Sequence, residues 1–129
     1  MTNITRNILG VLALAGIGFA PAAALADGPQ AISTAANHAG LAANAGSIEM
    51  VHTHLHHVLN CLVGPGGEGF DAAPGNPCAM AGGGAIPQTA DNAMKGKLQM
   101  VAAQVRSGIA ANDMAAAKKI ATDAQTALK

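Results

Sequence analysis

Apolar residues recur at helical spacing along most of the chain beyond residue 30. Ile48, Val51, Leu55, Val58, Leu59 and Leu62 are separated by short steps that, at about 100° per residue, place them on one side of a helix. Met94, Leu98, Val101, Val105 and Ile109 repeat the pattern, as do Met114, Ala117, Ile120, Ala124 and Leu128. Upstream, alanine, leucine and histidine keep a helical rhythm from Gln30 that is interrupted only at Asn44-Ala45-Gly46-Ser47. Gly46 suits the end of one helix and Ser47 can cap the next, with Glu49 near the positive end of its dipole. Asn112 or Asp113 can cap the last helix. The pattern therefore predicts helices at about 30–45, 47–62, 89–108 and 112–128.

Between the second and third of these, residues 63–88 hold eight glycines and four prolines, a composition that predicts a long loop rather than regular helix. Its substring GPGGEG fits G-x-G-x-x-G, but a helix precedes it and loop follows, the reverse of what a dinucleotide site needs. Gly40-Leu41-Ala42-Ala43-Asn44 is echoed by Gly108-Ile109-Ala110-Ala111-Asn112, each at a turn between paired helices. The expected fold class is all-α: a small four-helix assembly of two helical hairpins joined by the long Gly/Pro-rich loop.

The first residues fall outside this scheme. A polar start with Arg6 leads into the apolar run Ile8 to Ala20 and then Ala24-Leu25-Ala26, the layout of a secretory signal peptide over residues 1–26. The run is shorter than the roughly 20 apolar residues of a spanning helix. Cleavage after Ala26 would leave residues 27–129 as a single helical domain, periplasmic or secreted, with no membrane association once the signal is removed. Without Arg6, the 7 basic and 7 acidic residues of the chain become six against seven, a net charge of −1. Phe70 is then the sole aromatic, so neither a basic surface nor a stacking platform for nucleic acid exists. An alanine-dominated core buries little area per residue, and a covalent or metal staple would support it.

Candidate chemistry concentrates in residues 52–61, HTHLHHVLNC. The histidines avoid the centre of the apolar face: His52 and His56 share one flank, while His54 and His57 lie on the other with Met50 and Cys61. Residues three or four apart on a helix are neighbours, so each pair can offer two imidazole nitrogens to one ion. Imidazole suits copper and zinc, and a closed tetrahedral site needs two further donors. His38 on the preceding helix, Met50, Met80 or a second subunit are the candidates. The opposing reading is a solvated histidine face, which is compatible with an amphipathic side chain on a helix flank and with proton sensing at low external pH.

Two cysteines in an exported chain predict a disulfide, Cys61–Cys78, worth about 3 kcal/mol in the chain-entropy model. The rival is a pair of free thiolates that join His57 or His54 in a soft-metal site. No Ser/His/Asp order or paired-carboxylate motif stands out, and C-x-x-C-H haem attachment is absent from the sequence.

The stretch from His54 to Gly84, HLHHVLNCLVGPGGEGFDAAPGNPCAMAGGG, resembles a group of small exported bacterial proteins of uncharacterised function. These share an H-x-x-H-x-x-N-C helix end, a glycine-rich loop and a second cysteine. The resemblance marks His54, His57, Asn60, Cys61 and Cys78 as the positions of interest and implies no activity. More loosely, the leader, the alanine-rich helices and histidines such as His38 and His52 are similar to small histidine-rich periplasmic metal-binding proteins, which scavenge divalent ions, copper prominent among them. Here the histidines are fewer and concentrated in one helix.

The expected function is thus an exported, non-enzymatic protein that binds a transition metal, copper or zinc, for storage, scavenging or delivery. Its expected ligands are His54, His57, His52, His56 and Met50. A protein partner or a homodimer is compatible with this reading. Two alternatives stand beside it: a structural or partner-binding module whose recognition surface is the loop around Phe70, and a noncovalent haem or redox carrier.

Overall fold

A computed structural model describes residues 28–129; the signal peptide expected at 1–26 lies outside the described residues. Five helices and no strand occur among them: α1 (Gly28–Asn44), α2 (Ile48–Val63), α3 (Ala85–Gln88), α4 (Asn92–Ala110) and α5 (Met114–Leu128). The all-α expectation holds. The helix count differs by one, because the single turn α3 forms inside the segment expected to be loop. Two side chains fasten that turn: Thr89 donates its hydroxyl to the Ala85 carbonyl at 2.7 Å, and Gln88 reaches the Ala81 carbonyl at 2.9 Å.

The caps explain where the longer helices begin. Ser47 Oγ accepts the Met50 amide at the start of α2, Asp91 Oδ1 accepts that of Met94 in α4, and Asp113 Oδ1 that of Ala116 in α5. Asp91 thereby moves the start of α4 to Asn92, three residues beyond the expected position 89. At the end of α1, Asn44 Nδ2 donates back to the Gly40 carbonyl, four residues earlier, at 2.8 Å. The α2 helix stops at Gly64, whose φ of 71° is readily available to glycine alone.

Helices α1 and α2 pack together, as do α4 and α5; α1 also lies against α5 and α2 against α4, with α2 and α5 touching across the bundle. The core divides by side-chain size. Val51, Leu55, Val58, Leu59 and Leu62 of α2 supply the bulk, together with Leu98, Val101 and Val105 of α4. In contrast, α1 presents Ala31, Ala35, Ala36, Ala39, Gly40 and Ala42, so its backbone can approach its neighbours closely. Met94 and Met114, expected in the apolar stripes of the last two helices, are each 40% exposed, because both sit in first turns at the periphery. No helix of the described residues is long and apolar enough to cross a membrane.

Candidate metal centre

The close approach of α1 to α2 brings His38 into register with two histidines of α2. Residues equally distant from a tight interhelical turn lie at similar heights, and position 38 falls roughly level with 54. His38 Nδ1 stands 3.2 Å from His54 Nδ1 and 3.2 Å from His57 Nδ1. One ligand atom from each of the three rings lies within 4.8 Å of the others. Two nitrogens bound tetrahedrally to one zinc-class ion, each at 2.0–2.1 Å, stand about 3.3–3.4 Å apart. The two separations measured from His38 lie close to that edge. The His57 ring stands edge-on to the other two, at 82° to His38 and 74° to His54, while His38 and His54 are tilted by 37° to each other.

The orientation of His57 is fixed from the loop. Its Nε2 lies 2.7 Å from the Pro74 carbonyl oxygen, which can only accept, so Nε2 carries the proton. In the neutral ring Nδ1 is then a bare lone pair directed at His38. A ring N–H donated to a backbone carbonyl is also how metal-bound histidines are usually held and made more basic.

Pro74 is itself held in place by Asn60, the one polar side chain fully buried among the described residues. Asn60 Nδ2 donates to the Asp71 and Gly75 carbonyls at 2.6 and 2.8 Å, and its Oδ1 accepts the Asp71 amide at 3.1 Å. Beside it, Cys61 and Cys78 form a disulfide with a Cα–Cα distance of 5.1 Å. Of the two cysteine states weighed from the sequence, this is the bridged one, so neither sulfur is a thiolate ligand. The five residues of α2 from His57 to Cys61 therefore carry a ligand-like histidine, a loop-holding asparagine and a staple.

Burial, followed by the charges of His57 and His54, pushes the His38 pKa down from 6.5 to about 4. Burial and then His57 push His54 down as well. His38 and His54 are accordingly neutral at physiological pH, with lone pairs available for a Lewis acid.

The remaining residues expected at the site lie elsewhere. His52 Nε2 is 2.9 Å from the Ala111 carbonyl and tethers α2 to the α4–α5 turn. On the same flank, His56 has its pKa lowered mainly by burial, against an opposing effect of Asp71, and its Nδ1 is buried with no protein partner. Neither joins the converging triad. Met50 and Met80 are 51% and 91% exposed. The sequence pattern placed His38 among several candidate donors; the distance of each histidine from the α1–α2 turn is the signal that singles it out.

The fold and site together define a helical bundle carrying a three-histidine centre at its surface. No family model matches the chain, and no curated protein or solved structure matches it either. The chemistry of the centre stands on its geometry: three imidazole rings with ring nitrogens at ligand spacing, one of them pre-oriented by a carbonyl.

Proposed function

We propose that the chain is a non-catalytic metal-binding protein that holds one copper or zinc ion through Nδ1 of His38, His54 and His57. The observation that carries this reading is the pair of 3.2 Å Nδ1–Nδ1 separations, combined with the Nε2–H of His57 held by Pro74. His54 and His57 belong to the ligand set expected from the sequence, and His38 replaces His52, His56 and Met50 as their companion. The signal-like residues 1–26 and the disulfide support an exported, periplasmic or secreted location, where thiols oxidise and metal ions are taken up. Phe70, the centre of the competing partner-binding reading, is partly buried against the hydrophobic core, which supports the metal reading over that one.

Calorimetry with copper and zinc tests the reading. The expected result is about one equivalent bound. Alanine at His38, His54 or His57 should weaken binding by more than the roughly 10–100-fold that a change in the second coordination shell costs. His52→Ala and His56→Ala should leave the affinity within a few-fold of wild type. Undiminished binding in the three triad variants, or loss only in the His52 and His56 variants, would remove the triad from the site.

A further inference from the structure

The donor inventory around the triad is short. Both cysteines are consumed by the bridge, and no other histidine, aspartate or glutamate of the described residues joins the group. The three rings are only partly buried, so the centre faces the surface rather than the interior. Three neutral imidazoles also leave the charge of a divalent ion uncompensated, which favours an anion in the next coordination position. Asp71 does not supply one. Its Oδ1 accepts the Ala73 amide, and its charge acts on His56, on the opposite flank of α2.

Resting on the metal reading above, we infer that the ion held by His38, His54 and His57 keeps one coordination position for an anionic donor from outside the chain. Sites built of three protein ligands and one exchangeable ligand are the open class of zinc centre, as opposed to closed structural sites with four protein ligands. The consequence here is exchange. An incoming donor can bind before any histidine lets go, so the ion can be handed on in a ligand-by-ligand transfer without first dissociating into water. That chemistry fits delivery or scavenging better than permanent storage. Met50, one helical turn before His54 and half exposed on a flexible side chain, is the residue of this chain best placed to contest that position.

The test uses the cobalt(II)-loaded protein, whose visible bands report coordination, titrated with azide in wild type and in Met50→Ala. The expected result is a saturable spectral change corresponding to one azide per ion, the same in both proteins. Bands that do not respond in either protein mean that the shell is already complete, and overturn the inference while leaving metal binding intact. A response confined to Met50→Ala assigns the fourth position to Met50 and overturns it as well. Absence of any cobalt bands in the wild type means that no ion is held, which ends the metal reading and the inference together.

Discussion

At the scale of single residues, Asn60 does more for the centre than its position outside the triad suggests. Three hydrogen bonds from one buried amide hold the backbone on both sides of Pro74, and Pro74 in turn orients His57. Asn60→Ala strips the partners from two carbonyls and an amide without filling the space. It should destabilise the fold by about 1–3 kcal/mol, the usual consequence of leaving buried polar groups unpaired. It should also weaken metal binding by about 10-fold or more, because His57 loses its orienting carbonyl. Urea unfolding and metal titration on the same variant measure both; a variant that unfolds earlier but binds metal normally would disconnect the loop from the site. The importance of Asn60 is legible in the sequence only through its place in the H-x-x-H-x-x-N-C pattern. Its partners are backbone groups of a loop, and backbone groups leave no trace in side-chain identity. His38 was harder still to single out, because its role depends on the register of two helices and not on its neighbours in the chain.

At the scale of elements, the apolar periodicity carried most of the information. The α2 face from Val51 to Leu62 is buried as its spacing requires, and the Ser47 and Asp113 caps fall where short polar residues precede apolar runs. What periodicity could not reveal is α3, a single turn made by two side chain-to-backbone bonds in a glycine-rich stretch. The matching glycines Gly40 and Gly108 are both buried. A Cβ at Gly108 would come within 2.9 Å of Leu55 Cδ1 and 3.0 Å of Ile120 Cγ2, so a close interhelical approach accounts for that glycine. Gly96 in α4 is different: a Cβ there would meet nothing within 4 Å, and its backbone is ordinary helix. Gly96→Ala should therefore stabilise the protein by about 0.5–1 kcal/mol, read as a higher urea midpoint at unchanged slope. The loop behaves oppositely. Replacing Cys61 and Cys78 by alanine opens a closure of 17 residues and should lower stability by about 3 kcal/mol. An unchanged unfolding midpoint in that double variant would mean that Asn60 and the core hold the loop without the bridge.

For the whole molecule, the histidines make stability a function of pH, and the sign follows from their shifts. His38 titrates near 4 in the folded chain against 6.5 when unfolded, and His54 and His56 are shifted in the same direction by burial. Between those values the unfolded chain binds more protons than the folded one, so stability rises with pH across the interval. The contribution is fully present above about 6.5 and is lost as pH falls toward 4. The metal-free protein should accordingly show a melting temperature that falls steadily from pH 7 to pH 5, before most carboxylates begin to titrate. His38→Gln removes the ring with the largest resolved shift and should flatten that decline, even if its melting temperature at pH 7 is lower. A melting temperature independent of pH over this interval in the wild type would show that the three rings accept protons without opening the fold. The close packing of α1 on α2 would then not be what keeps His38 neutral.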